Sequence, residues 1–186
     1  MNIYEPAEDS ILLAQCVEKI SLAVIKRNPH AAALDMGSGS GIQAEALLKS
    51  GFIKENILAS DISKEAVDNL RKKGFKSINS DLFEKVKGKF DIIIFNPPYL
   101  PYNKYDSNKD TCGGKKGYEI TLKFLKQLKS HLSKKGVVLL LISSLTNPDI
   151  IRREVMRQNL KCRKIASEKF FFEEILVFSI KRGSVK

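Results

Sequence analysis

Cysteine is scarce in this chain of 186 residues, and the three present, Cys16, Cys112 and Cys162, are far apart and odd in number. With no Cys-x-x-Cys pair and no histidine cluster, neither a disulfide framework nor a zinc or other metal site is expected, and the thiols should stay reduced. Long apolar runs are also missing. The longest, Val137 to Ile142 and Ile92 to Phe95, fall far short of the roughly 20 residues that cross a bilayer. Glu5, Glu8 and Asp9 precede the first apolar stretch, where a signal peptide would be basic, so a cytoplasmic location with no membrane association is expected. Repeats, low-complexity tracts and Gly/Ser linkers are absent too, and the composition, 43% hydrophobic and 28% charged, is that of one ordinary domain over residues 1–186.

What the chain does have is positive charge. The formal net charge is +11, with basic residues gathered at 71–76, 85–89, 115–116 and 134–135. Such an excess speeds encounters with polyanions, so nucleic acid or a ribosomal setting is one reading. Solvated helix ends and turns are the other, because no aromatic stripe interleaves the basic runs.

Apolar periodicity alternates along the chain. Short buried-type strands are expected at 32–36, 57–61, 90–95, 137–143 and 175–180, with weaker ones near 76–78 and 161–167. Helices are expected at 7–26, 41–50, 64–73, 117–132 and 148–159, where Leu122, Leu125, Leu128 and Leu132 share one face. That order makes a doubly wound α/β fold with a mostly parallel sheet. Residues 170–174 are too few for a crossover helix, so the last two strands should close an antiparallel hairpin at one edge.

The unusual residues fall where such sheets open their pockets, at the carboxyl ends of the strands. Leu34-Asp35-Met36-Gly37-Ser38-Gly39-Ser40-Gly41 turns from strand to helix with a G-x-G-x-G spacing, not the G-x-G-x-x-G that cradles a pyrophosphate. Asp35 would repel a diphosphate and suits a ligand with an ammonium group, such as the methionine part of S-adenosylmethionine. The next strand ends at Asp61, placed to accept the hydroxyls of a ribose. After the third, Asp81 could receive an adenine amino group while Leu82 and Ile62 pack on the ring faces. Each acid alone could be a helix cap; three at successive strand ends are harder to explain without a ligand to pair them.

The fourth strand runs into Asn96-Pro97-Pro98-Tyr99. Two prolines stiffen the backbone and remove two amide donors, leaving carbonyls of Asn96 and Pro97 as idle acceptors. With the Asn96 side-chain oxygen they could take both hydrogens of a planar NH2 group, and Tyr99 offers a ring for the rest of the plane. The lone pair of such a nitrogen is delocalised, and acceptors placed off its plane would localise it for attack on a methyl carbon. Asn96, Pro97 and Tyr99 are therefore the catalytic candidates and Asn96 to Tyr99 the substrate-binding tetrad; a stiffened loop with no chemistry is the plain alternative.

These motifs, together with Tyr4-Glu5-Pro6-Ala7-Glu8-Asp9-Ser10 near the start, resemble the HemK family of class I methyltransferases. The likeness is to its short archaeal and eukaryotic branch, which methylates the glutamine of the Gly-Gly-Gln loop in class-1 peptide release factors. The resemblance implies a seven-stranded Rossmann-like sheet and S-adenosylmethionine held by Ser10, Asp35, Gly37, Gly39, Asp61, Asp81, Leu82 and Asn96. Ser10 stands where threonine is more usual, and would otherwise read as a helix N-cap. The resemblance further implies a small zinc-binding activator subunit in a heterodimer, in place of the N-terminal helical domain of the bacterial relatives. Its Gly-rich stretch matches Gly113, Gly114 and Gly117, at the end of a segment, 100–116, that reads either as a substrate lid or as a disordered loop. Two other functions remain open on the sequence: methylation of the adenine amino group in DNA or RNA, and a non-catalytic scaffold that binds the cofactor.

Overall fold

A computed structural model describes residues 8–101 and 113–183. Tyr4 to Ala7 of the N-terminal signature, Cys112 and most of the 100–116 segment lie outside the described residues.

The elements follow one another as α1 (Glu8–Arg27), β1 (Ala33–Met36), α2 (Ile42–Lys49), β2 (Ile57–Asp61), α3 (Lys64–Lys72), β3 (Lys76–Asn79), β4 (Phe90–Phe95), α4 (Glu119–His131), β5 (Leu132–Ser143), α5 (Pro148–Arg157), β6 (Leu160–Lys169) and β7 (Glu174–Arg182). They build one seven-stranded sheet in the order β3-β2-β1-β4-β5-β7-β6. Strands β1 to β5 pair in parallel, and β7 runs antiparallel between β5 and β6. The edge hairpin expected from the short 170–174 connection is present, closed by the Phe170 N–H donating to the Glu173 carbonyl at 2.8 Å.

Strand alternation sorts the core into two layers. From β4, Ile92 and Ile94 face a cluster with Leu13 and Val17 of α1, Leu47 of α2 and Leu70 of α3. Ile93 and Phe95 face the opposite cluster, with Phe124, Leu125 and Leu128 of α4 and Ile151 and Val155 of α5. All four β4 residues are at most 2% exposed, which explains why that strand reads as an unbroken apolar run. Among the described residues no helix is long and apolar enough to cross a membrane.

One boundary moves. A helix to residue 132 and a strand from 137 are expected; instead α4 stops at His131 and β5 begins at Leu132. Leu132 is fully buried and pairs with Phe90 across a register irregularity. Gly136 lies so close to this partner strand that a Cβ there would stand 2.9 Å from the Phe90 carbonyl oxygen. Tertiary pairing thus carries the polar stretch Ser133 to Lys135, which looks like a turn in isolation, into the strand.

The register places the pocket. Met36 is level with Ser60 on one side and with Phe95 on the other. The residues that follow, Gly37, Asp61 and Asn96, therefore leave the sheet at one height, on either side of the point where strand order reverses.

Candidate active site

A cavity of about 530 Å³ opens at that edge, within the range for a small-molecule site of ~300–1,000 Å³. Its walls bring together Ser10, Gly37, Gly39, Asp61, Asp81, Leu82 and Asn96 to Tyr99, residues singled out from five separate stretches of sequence.

On one side the glycine turn is built with left-handed backbone, φ +62° at Gly37 and +48° at Gly39, which favours glycine. Gly39 N–H donates to Asp61 Oδ2 at 2.8 Å and Ser63 N–H to Oδ1 at 2.7 Å. These bonds orient the Asp61 carboxylate while leaving it on the wall. Farther along, Leu82 also holds a positive φ, +48°, rare for a branched side chain. Ser80 fixes it there: its hydroxyl donates to the Leu82 carbonyl at 3.0 Å and accepts the Lys85 N–H at 2.9 Å. Leu82 and Ile62, the latter 67% exposed, give this wall two apolar surfaces. Asp81 is already engaged, in an ion pair with Lys123 at 2.7 Å; its hydrogen bond raises the Lys123 pKa.

Asp35 stands apart from the other expected cofactor residues. It is 1% exposed and does not line the cavity; its Oδ2 accepts the Ala44 N–H at 3.1 Å, under the start of α2. Burial pushes its carboxyl up to about 8, opposed by the Ala44 bond and reinforced by the Asp61 charge. In the free chain at neutral pH it is thus largely protonated, not the ready carboxylate that the sequence implies, because the sheet and α2 exclude the water that would solvate its charge.

The other side is the Asn96 corner. The Asn96 Nδ2 donates to Asp9 Oδ2 at 3.2 Å and to Ser10 Oγ at 3.4 Å. Its Oδ1 is buried with no hydrogen-bond partner, a state that native interiors rarely tolerate without a reason. Tyr99 donates its hydroxyl to the same Asp9 Oδ2 at 3.1 Å. The end of the 100–116 segment packs on this corner. Gly113 N–H donates to the Leu100 carbonyl at 2.9 Å. A Cβ on Gly117, whose φ is +83°, would lie 2.4 Å from the Tyr99 carbonyl oxygen.

Among the wall residues to which sequence reasoning gave no role are four with polar or charged side chains that hold the site together, Asp9, Gln43, Lys123 and Glu173. Gln43 ties α2 to α1 by donating to the Ser10 carbonyl at 2.9 Å, and Glu173 accepts from Ser143 Oγ. Asp9 was visible beside Ser10, but its reach to Asn96 spans 87 positions. Beyond Glu173, the hairpin tip sets Phe171 and Phe172 almost fully in solvent, 94% and 84% exposed, against each other edge to face.

Comparison with known proteins agrees with this geometry. Residues 11–171 match the family model of the methyltransferase small domain. A Methanocaldococcus jannaschii protein that bears the name "putative protein N5-glutamine methyltransferase" is 40% identical, over 96% of this chain and 91% of its own. The eRF1 methyltransferase catalytic subunit mtq2 of Schizosaccharomyces pombe is 32% identical over 73% of this chain and 70% of its own. The Mtq2–Trm112 complex of E. cuniculi, responsible for methylation of the termination factor eRF1, superposes with a TM-score of 0.73 at 21% identity, covering 98% of this chain and all of that one. The chain belongs to the methyltransferase small-domain family, on its HemK-type branch of glutamine methyltransferases.

Two outcomes test this geometry. Between pH 4 and 8 the unfolded chain releases the Asp35 proton while the folded chain keeps it, so stability falls as pH rises. Urea unfolding should show wild type losing at least about 1 kcal/mol more than Asp35→Asn between pH 5 and pH 8; parallel curves would contradict the burial argument. Gly117→Ala, strained and pressed on Tyr99, should cut methyl transfer by roughly tenfold or more with cofactor affinity within about threefold; wild-type turnover would show that the glycine does not hold the corner.

Proposed function

We propose that this chain binds S-adenosylmethionine in the cavity and methylates N5 of the glutamine in the Gly-Gly-Gln loop of a class-1 peptide release factor. The observation that carries the proposal is the buried, unpartnered Asn96 Oδ1 on the cavity wall. An acceptor held without a donor fits an incoming NH2 group, and leaving it unmatched costs about 1–3 kcal/mol. The cofactor suits the other side: a ribose for Asp61, an apolar ring for Ile62 and Leu82, and bare glycine backbone for close approach. Bound there, S-adenosylmethionine would supply an electrophilic methyl carbon.

The protein's own part is to make a reluctant nitrogen ready. Asn96 Oδ1 would accept one N–H, and the proline-stiffened backbone beside it would hold the amide within reach of a second acceptor. Acceptors off the amide plane favour a pyramidal nitrogen and stabilise the positive charge that grows on it. No general base is needed, because the proton can leave to water after transfer. Tyr99, Pro97 and Pro98 confine the amide plane.

The names of the S. pombe relative and the E. cuniculi neighbour support eRF1 as the kind of substrate. The latter also supports a companion subunit, small and zinc-binding on the reading given above; a cytoplasmic setting fits a translation factor as substrate. Large apolar side chains left in water, among them Leu22 at 65% and Met156 at 62% exposed, are surface that a companion could cover.

Incubation with purified release factor and with nucleic acid, followed by mass analysis, should place one methyl group on the Gly-Gly-Gln glutamine. Label found only in adenine would refute the proposal. Asn96→Ala should keep cofactor affinity within a few-fold while lowering turnover ~100-fold or more, roughly 3 kcal/mol of transition-state stabilisation; an undiminished rate would remove Asn96 from the chemistry.

A further inference from the structure

We propose that Asp9 is a positioning residue for this site, whose carboxylate decides which end of the Asn96 side-chain amide faces the pocket. The inference rests on the acceptor role of the corner argued above. The two ends of an asparagine amide have nearly the same shape and opposite hydrogen-bonding character. Whether the corner accepts or donates therefore depends on what holds the far end.

Asp9, 5% exposed, takes that role by chemistry. An ionised carboxylate only accepts, and its Oδ2 receives the Asn96 Nδ2 at 3.2 Å and the Tyr99 hydroxyl at 3.1 Å. Were the amide turned over, Asn96 Oδ1 would face a formal negative charge, and Nδ2 would present a donor to an NH2 group that is itself a donor. Ser10 works in the same sense. Its hydroxyl donates to Asp9 Oδ1 at 3.2 Å, which leaves an oxygen lone pair for the second Nδ2 contact at 3.4 Å. One carboxylate oxygen also sets the spacing between Asn96 and Tyr99, the two side chains that must bracket one planar group.

Asp9 is itself fixed from the cofactor side. It sits in the first turn of α1, and the next residue's carbonyl accepts from Gln43 in α2 at 2.9 Å. The helix that follows the glycine turn is thereby braced to the residue that orients Asn96. An acid in a helix's first turn is also favoured by the helix dipole, a purely structural role that would show in stability and not in the chemistry.

The test compares Asp9→Asn, which can donate and so lets the Asn96 amide turn, with Asp9→Glu, which keeps an acceptor-only group. Asp9→Asn should lower kcat on a glutamine peptide by about 30-fold or more, with the KM for S-adenosylmethionine within about threefold. Asp9→Glu should retain more than about a tenth of wild-type kcat. In an Asn96→Ala background, Asp9→Asn should add less than about twofold, since the residue through which it acts is gone. Independent full losses in that cycle, or an unaffected kcat in Asp9→Asn, would overturn the proposal.

Nuclear magnetic resonance supplies a readout independent of the acceptor. The Asn96 side-chain NH2 signal, assigned by its loss in Asn96→Ala, should exchange with solvent at least about tenfold faster in Asp9→Asn; an unchanged signal would overturn the inference even if methylation fell. Should Asp9→Asn not fold, Asp9→Ser takes its place in both measurements. Wild-type chain that methylates no glutamine refutes the function proposed above and leaves Asp9 judged by the amide signal alone.

Discussion

The pocket depends on how the chain leaves β4. A parallel strand ending at a sheet edge presents a carbonyl and then an N–H that must find a partner; here the next two residues are prolines and have no N–H to satisfy. Asn96 can therefore stay at the edge with its side chain turned inward, toward Asp9 and Ser10. Pairing of β4 with β1 puts Asn96 level with Gly37. A slip of two residues, about 7 Å along the strand, would keep every side chain on its proper face and still separate the acceptor corner from the glycine turn. The Ile-Ile-Ile-Phe run on β4 is apolar toward both layers, so polarity does not choose among slips, and the short length of β1, four residues, is what limits them.

Several features around the cavity are unfavourable to folding taken alone: Asn96 Oδ1 and Gln43 Oε1 without partners, Leu82 at a left-handed φ, Asp35 buried without a counter-charge. Each costs on the order of 1–3 kcal/mol. All four gather where β1, β2, β3 and β4 end, while the two apolar layers behind them are packed with fully buried Ile, Leu, Val and Phe; elsewhere Ser21 Oγ is also buried without a partner, and Asn147 and Asn159 take positive φ at the ends of α5. Strain and unmet acceptors gathered at one cavity, with a sound core beneath, make the pattern expected of a binding site prepared in advance.

The strands and helices were largely legible, because their apolar periods are clean and their lengths ordinary. So were the glycine turn, the acids at the ends of β2 and β3, and the tetrad, since each is local in sequence and sits at a strand end. What escaped was tertiary. Asp9 looks like any acid in a first helical turn until the fold brings Asn96 and Tyr99, at the end of β4, against it. Lys123 belongs by period to the polar face of α4, and only the fold brings it to Asp81. Asp35 shows the converse. Its charge is plain in the sequence, but the degree of burial that makes it neutral in the free chain is a property of the assembled layers. The early start of β5 was hidden for a similar reason, since Ser133 to Lys135 are polar and their strand geometry is imposed by Phe90 and Gly136.

The Asn96 corner, in the role proposed for it, would take a planar NH2 group and little more, and so would serve a glutamine or an adenine equally. Discrimination between them falls to the surroundings. Asp9, Asp61 and Glu173 lie on the cavity wall together with Asp81, which Lys123 pairs, and the acidic excess disfavours the close approach of a phosphate backbone even on a chain with an overall charge of +11. At the rim, next to Glu173, the hairpin tip offers Phe171 and Phe172 to solvent, a surface suited to the apolar side chains and flat peptide groups of a protein loop. On the function proposed above, the nitrogen would be chosen by the corner, and the molecule that carries it by an acidic wall and the aromatic hairpin tip beside it.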